Sequence, residues 1–140
     1  MYKNRKKIIF YISDFSLPNM SAYALHVLKM CDAFSEKKMR VHLFTPHIQE
    51  KYNFHKIKKH YAIKKKFKIS SFFKSKINRS FISLVLYSFK ILKFLKVQER
   101  PFLIISRSIL PALILSMTGK KILLEVHTEP KGITRIFFHF

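Results

Sequence analysis

Seven polar or charged side chains of the 140-residue chain lie within or shortly after short apolar runs. They are Asp14, Ser21, His26, Arg107, Glu125, His127 and Glu129. An arginine presents a planar fork that suits phosphate oxygens, and a histidine changes protonation near neutral pH. A carboxylate inside an apolar run is costly unless it is paired. These residue types could bind a phosphate-bearing ligand and assist a proton transfer, provided that a fold brings them together.

Apolar β-branched and aromatic runs alternate with segments of helical periodicity along the chain. We predict strands over residues 7–12, 40–45, 60–63, 102–106 and 121–126. We predict helices from Ser21 to about Glu36, over residues 70–98 as one helix or as two broken near 78–80, and over 109–118, ended by Gly119. Continuous apolar strands joined by helices are typical of a parallel sheet covered on both faces. The predicted fold is α/β, a Rossmann-like doubly wound parallel sheet of five strands in the order 3-2-1-4-5.

This fold would gather the candidate residues at one edge. In an open parallel sheet, ligands bind in the crevice beyond the carboxyl ends of the strands. Residues 13–21 follow the first predicted strand, Arg107 follows the fourth, and residues 127–129 follow the fifth. We therefore expect a ligand site at that edge.

The composition is that of a folded and very basic domain. The formal net charge is +21, yet 49% of the residues are hydrophobic, which excludes the composition of intrinsically disordered chains. Cys31 is the only cysteine, so the chain can form no intramolecular disulfide and no cysteine cluster for zinc. The apolar run over residues 8–12 is too short for a signal-peptide core or a membrane span. We expect a cytoplasmic protein with no cleaved signal, no metal site and no cofactor.

The middle of the chain leaves several interpretations open. No acidic residue occurs between Lys51 and Gln98, and ten lysines lie between Lys51 and Lys76. This charge is explained by a solvated basic surface or by the compositional drift of AT-rich coding DNA. Alternatively, it attracts anionic lipid, with a helix over residues 72–97 lying in the membrane interface. In a third interpretation the lysines grip nucleic-acid phosphates while Phe67, Phe72 and Phe73 stack on bases.

Three segments resemble family four glycosyltransferases of the GT-B fold. The segment over residues 21–34, SAYALHVLKMCDAF, followed by VHLFTP over 41–46, is similar to the first βαβ unit of that family. The segment ISRS around Arg107 and the segment LEVH at residues 124–127 are similar to later pieces of the family, in the same order. The resemblance covers about residues 6–132.

The resemblance implies a function and roles for individual residues. It implies the amino-terminal, acceptor-side domain of an enzyme that transfers a sugar from a nucleotide-sugar donor to a carbohydrate or lipid-linked acceptor. His127 is then the catalytic residue of the cleft, although it could also simply cap its loop. Ser21, His26, Arg107 and Glu129 are then candidates to bind substrate. Arg107 would face an acceptor phosphate or support the strand end, and His26 could instead be structural. Because Glu125 lies in a predicted buried strand, we expect it to pair with Arg107 and support the site, with a catalytic role as the alternative.

The chain also departs from the family pattern. Lys38 and Met39 replace the glycine and histidine that follow the first helix, and residues 18–21 replace a glycine pair. No two glutamates stand eight residues apart, as the Glu-x₇-Glu pattern of the donor-binding half requires. Because residues 133–140 are mostly apolar, we expect a domain truncated at its carboxyl end. A second polypeptide could supply the donor-binding half, and the 140 residues alone are expected to be inactive.

Overall fold

The computed structural model describes residues 7–97 and 103–126. These residues form, in chain order, β1 (Ile8–Ile12), α1 (Ala22–Glu36), β2 (Arg40–Thr45), α2 (Phe54–His60), β3 (Lys68–Ser71), α3 (Phe81–Val97), β4 (Leu103–Ser106), α4 (Ile109–Ser116) and β5 (Ile122–Leu124). The structure has no strand at residues 60–63 and no single helix over 70–98, contrary to the prediction. The other predicted elements agree with the observed ones within a few residues.

The five strands form one parallel sheet in the order β3-β2-β1-β4-β5. Tyr11 at the centre pairs with Leu43 of β2 on one side and with Ile105 of β4 on the other. Ile105 pairs in turn with Leu123 of β5. The predicted α/β doubly wound fold and its strand order are therefore confirmed.

The sheet separates two apolar cores, because successive strand residues point to opposite faces. Ile9 and Tyr11 of β1 face a core formed with α1 and α2. Phe10 and Ile12 face a second core formed with α3 and α4. Both faces of the sheet are thus covered, which is why its central strand, β1, is apolar throughout.

The prediction of a strand at residues 60–63 is wrong. His60 ends α2, which Asn53 caps by accepting a hydrogen bond from the Lys56 backbone N–H at 3.0 Å. Ile57 and Tyr61, one helical turn apart, are both buried. The third strand is instead Lys68–Ser71, which pairs with residues 42–45 of β2. The short stretch at 60–63 contains two large apolar residues, as a strand can, but the one-turn spacing of the buried Ile57 and Tyr61 fits a helix.

The prediction of one helix over residues 70–98 is also wrong, whereas the predicted break near 78–80 matches the start of α3 at Phe81. The backbone N–H groups of Phe72 and Phe73 donate to the Pro46 carbonyl at 3.1 and 2.9 Å. The Ser80 hydroxyl accepts from the Ser83 N–H at 3.2 Å, as an N-cap side chain does. Residues 72–80 therefore form an irregular connection whose phenylalanines pack against the second core.

The remaining boundaries follow local capping chemistry. Ser21 precedes α1, and its hydroxyl accepts from the Ala24 N–H at 3.2 Å. Gly119 has a φ of 76°, a conformation that glycine adopts without a Cβ penalty, and it ends the turn after α4 as predicted.

Candidate functional site

A carboxylate joins three elements at the carboxyl edge of the sheet. Glu125 follows β5, and its backbone N–H donates to the Ser106 carbonyl at 2.8 Å. Its Oε1 lies 2.9 Å from His26 Nε2 on α1, and its Oε2 accepts a hydrogen bond from the Tyr11 hydroxyl on β1. The Glu125 side chain reaches β1 and α1 across β4, which lies between β1 and β5 in the sheet. Glu125 thus links the central strand, the edge strand and the first helix.

The pair of His26 and Glu125 has the geometry of an oriented base. The His26 side chain is 40% exposed and that of Glu125 is 25% exposed, so the pair borders solvent. When Nε2 donates to the carboxylate, the lone pair of the imidazole lies on Nδ1. A histidine oriented by a carboxylate in this way is a recurrent arrangement for accepting a proton from a reacting hydroxyl.

A second cluster surrounds the ring of Tyr23 in the first turn of α1. The Arg107 guanidinium carbon lies 4.5 Å from the ring centroid, and that of Arg79 lies 5.5 Å away. Arg79 also donates to the Asp14 carboxylate at 2.6 Å. Tyr23 therefore orders two arginines beside the loop that follows β1.

Arg107 carries a buried donor at this edge. Its backbone N–H donates to the Ile12 carbonyl at 3.2 Å, which fixes the start of the side chain against β1. Its NH1 nitrogen is buried and donates to none of the described residues. Because a buried donor without an acceptor costs free energy, an anionic ligand group at this position would be stabilised.

Both tyrosines of the site remain protonated at neutral pH. Burial raises the pKa of Tyr11 well above its usual value, and the hydrogen bond to Glu125 raises it further. Burial also raises the pKa of Tyr23, assisted by the charge of Asp14. Tyr11 therefore acts as a hydrogen-bond donor to Glu125 rather than as a base.

The structure brings together some of the residues predicted from the sequence. His26 and Glu125 are in direct contact, and Arg107 lies at the same edge. The predicted ion pair between Glu125 and Arg107 does not occur among the described residues. The Glu125 carboxylate contacts Tyr11 and His26 instead. Ser21 acts as the N-cap of α1, with its hydroxyl used by the Ala24 N–H. His127 and Glu129 lie outside the described residues.

Sequence reasoning missed Tyr11, Tyr23 and Arg79. Tyr11 lies in a continuous apolar run, but a phenol on a buried strand usually requires a hydrogen-bond partner, and that requirement was the available signal. Arg79 lies 65 residues from Asp14, so only the folded chain reveals their contact. In the part of the chain that the structure describes, no group of three or more histidine, cysteine or acidic side chains could hold a metal ion.

Helix α3 carries an unusual surface on the opposite side of the sheet. Ile82, Leu86 and Phe89 are 71%, 52% and 58% exposed and follow one another at helical spacing. Lys93 and Val97 continue this row, which we call the outer face of α3. None of the described helices is both long and apolar enough to cross a bilayer.

Comparisons with known proteins add no assignment. No protein-family model matches the chain, and neither a curated protein nor a solved structure matches it. The functional interpretation therefore rests on the carboxyl edge of the sheet and on the surface of the helices.

Proposed function

We propose that the chain forms the acceptor-side domain of a nucleotide-sugar-dependent glycosyltransferase. The observation that carries this proposal is the contact of His26 with Glu125 at the carboxyl edge, with the buried Arg107 nitrogen at the same edge. In doubly wound sheets this edge is where ligands bind. The resemblance over residues 21–34, 105–108 and 124–127 supports the same interpretation, since it includes all three of these residues.

Sugar transfer requires a proton acceptor on this side of the cleft. The acceptor oxygen forms a bond to the anomeric carbon while the bond from that carbon to the diphosphate breaks. The transition state resembles an oxocarbenium ion, as in glycoside hydrolysis. In this proposal His26 takes the proton of the attacking hydroxyl, and Glu125 stabilises the resulting imidazolium. Arg107 binds a phosphate or other anionic group of the acceptor, and His127 remains a candidate for contacting the donor sugar.

The departing nucleoside diphosphate needs its own positive groups or hydrogen-bond donors. Negative charge builds on the diphosphate, and preorganised donors or cations lower the barrier by meeting it. The Glu-x₇-Glu pattern that the resemblance implies for donor binding does not occur in the 140 residues. We therefore propose that transfer requires a donor-binding domain, in the same polypeptide or in another one.

The test is to measure release of nucleoside diphosphate from common nucleotide sugars. The 140-residue chain is assayed alone and fused to or co-expressed with a GT-B donor-binding domain. Transfer is expected only in the second case. Within that active form, His26→Ala is expected to lower kcat by about 10²-fold or more, the usual contribution of general base catalysis. His55→Ala, which changes an exposed histidine on α2, is the matched control.

Two results would contradict this proposal. Turnover by the 140-residue chain alone would show that no donor-binding domain is required. An active fused enzyme whose kcat is the same with His26→Ala and with His55→Ala would remove His26 from the reaction. His127→Ala in the same enzyme tests the residue that the sequence alone favoured.

The outer face of α3 supports a second proposal, binding to the surface of an anionic membrane such as the inner face of the plasma membrane. The helix is about 25 Å long at 1.5 Å per residue, and its exposed apolar row includes Lys93 and borders Lys96. Lysine side chains can extend to lipid phosphates while apolar neighbours enter the interface. Each lysine near an anionic surface contributes about 1 kcal/mol. A lipid-linked acceptor would then be reached from the membrane surface.

Vesicle binding tests this second proposal. The protein is mixed with vesicles of neutral lipid and with vesicles containing anionic lipid, at low and at high salt. Binding is expected only to the anionic vesicles, and it is expected to weaken as salt screens the lysines. Leu86→Glu with Phe89→Glu is expected to abolish binding, whereas Leu25→Glu, on α1 across the sheet, leaves it unchanged. Equal binding of both variants would contradict the role of α3.

The structure offers less support for a nucleic-acid role. Phe67 is buried in the first core. Phe72 packs against Phe44, Tyr87 and Phe94. The Phe73 ring lies 4.4 Å from the Lys90 ammonium. These rings are engaged within the protein, and base stacking requires an accessible ring face.

A further inference from the structure

A basic cleft lies at the amino-terminal edge of the sheet, opposite the carboxyl edge. Its volume is about 600 Å³. It is lined by Ser35, Lys38, Met39, Arg40, Val41, Lys65, Lys66, Phe67 and Lys68. Five of these side chains are basic and none is acidic. The cleft is formed where the end of α1 and the start of β2 meet the segment that leads into β3.

Two described acidic residues near the cleft, Asp32 and Glu36, make contacts outside it. Both oxygens of the buried Asp32 carboxylate accept hydrogen bonds from the backbone N–H groups of Lys64 and Lys65, at 2.7 to 3.1 Å. Glu36 lies 3.8 Å from the Lys64 ammonium. Neither acid lines the cleft. Asp32 therefore fixes the backbone that presents Lys65 and Lys66 without neutralising their side chains directly.

Lys38 has a backbone conformation that is unfavourable for a residue with a side chain. Its φ is 63°, in the left-handed region where glycine is favoured because it has no Cβ. The position follows α1 directly, where left-handed glycine commonly ends a helix. Strained conformations of this kind are a reason to examine a local function. Here the unfavourable residue adds a positive charge to a cleft that already contains four.

We propose that this cleft binds a small ligand that carries two or more linked phosphates. Clustered cations repel one another, and a polyphosphate removes that repulsion when it binds. Lysine ammonium groups bind phosphate oxygens as point charges, and Lys38, Lys65, Lys66 and Lys68 supply four of them. The volume falls within the range of small-molecule pockets, about 300 to 1,000 Å³. Inorganic polyphosphate and a nucleoside polyphosphate share this chemistry, and this proposal does not depend on the proposed sugar transfer.

Calorimetric titration of the 140-residue protein with inorganic tripolyphosphate tests the proposal. The measurement is made at about 0.15 M salt, where screening limits the attraction of distant surface charges. We expect saturable binding with one site per chain and an affinity at least about tenfold higher than for monophosphate, since several cations act together. Comparison of ADP with pyrophosphate distinguishes the two sources: tighter ADP binding indicates a nucleotide, and equal binding indicates recognition of the phosphates alone.

Paired variants separate this site from general basicity. Lys65→Gln with Lys66→Gln is expected to weaken tripolyphosphate binding by about tenfold or more, the scale of losing two charge-assisted contacts. Lys58→Gln with Lys59→Gln removes the same charge from exposed lysines of α2 and is expected to leave binding unchanged. Lys38→Gly is expected to weaken binding while raising the melting temperature, because glycine relieves the left-handed strain. A loss of folding would lower the melting temperature, so it cannot explain weaker binding together with a higher melting temperature.

Several outcomes would overturn the proposal. They are the absence of saturable tripolyphosphate binding, equal weakening by the two lysine pairs, and unchanged binding by Lys38→Gly. Tighter binding to a single-stranded oligonucleotide or to anionic vesicles, with dependence on Lys65 and Lys66, would assign the cleft to a macromolecule and would also overturn it.

Discussion

The two ends of the parallel sheet handle charge in opposite ways. At the carboxyl edge, acids and bases are matched: Glu125 contacts His26, and Asp14 contacts Arg79. At the amino-terminal edge, five of the nine described residues that line the cleft are basic and none is acidic. Matched groups are held in fixed orientations, which suits chemistry at one atom. Clustered lysines provide a concentrated positive field, which suits binding of a polyanion.

The largest effect is expected at the acid that organises the amino-terminal edge. Asp32→Ala should lower the free energy of unfolding by about 3 kcal/mol, since two backbone donors lose a buried, charged acceptor. Asp32→Asn retains one acceptor oxygen and should lose about half as much. Urea unfolding near pH 7.5, followed by circular dichroism, measures both changes. A loss below about 0.5 kcal/mol for Asp32→Ala would mean that the hydrogen bonds to the Asp32 carboxylate do not stabilise this end of the sheet.

The free energy of unfolding should fall at acidic pH because of His42, which lies on β2 between the two ends of the sheet. Burial, together with the smaller effect of the Lys68 charge, lowers the pKa of His42 to about 4 from 6.5. The unfolded chain therefore binds a proton between these values while the folded chain does not, so stability falls as pH drops from about 6.5 toward 4. The loss between about pH 7.5 and 4.5 is expected to be about 2.5 kcal/mol.

The control for His42 is His42→Phe, which places another ring among Phe10, Phe44 and Phe94. It removes the titrating group, so the loss of stability over this pH interval should shrink by about 2.5 kcal/mol relative to the unchanged protein. Urea unfolding at each pH measures the difference. If the pH dependence of stability is unchanged in His42→Phe, then charged groups at the two edges of the sheet cause it instead of His42.

The matched carboxyl edge should show coupling between its members. Glu125→Ala is expected to cost about 2 kcal/mol, because the buried Tyr11 hydroxyl loses its acceptor. Tyr11→Phe should cost about 1 kcal/mol, and the double variant should cost about 1 kcal/mol less than the sum. A double-variant cycle from urea unfolding gives the coupling energy. Strict additivity would show that the contact between Tyr11 and Glu125 contributes nothing to stability.

The smallest effect is expected at the exposed ion pair of the same edge. The Arg79 side chain is 54% exposed, and such pairs contribute about 0.2 to 1 kcal/mol. Arg79→Gln should therefore lower the free energy of unfolding by less than about 1 kcal/mol, and by still less at high salt. Unfolding at two salt concentrations measures this difference. A loss above about 2 kcal/mol would assign Arg79 a structural role comparable to that of Glu125.

Most of the sheet could be predicted from the sequence, whereas its third strand could not. Ile8–Ile12 is a continuous apolar run, and Arg40–Thr45 carries three large apolar residues and ends directly before Pro46, so the sequence marks both strands. Residues 68–71 contain two serines and a lysine and become a strand only by pairing with β2. An edge strand needs fewer apolar residues, and local periodicity therefore does not reveal it.

For the candidate site, the sequence determined the residue types and the edge at which they gather. Strand ends supplied Arg107 and Glu125, because parallel strands place their carboxyl ends together. The tertiary structure alone decided the partner of Glu125, which is 114 residues from Tyr11 and 99 from His26. It also decided that the basic residues on either side of α2 converge in one cleft. Sequence patterns report which face of an element is apolar, but contacts between distant residues depend on how the elements pack.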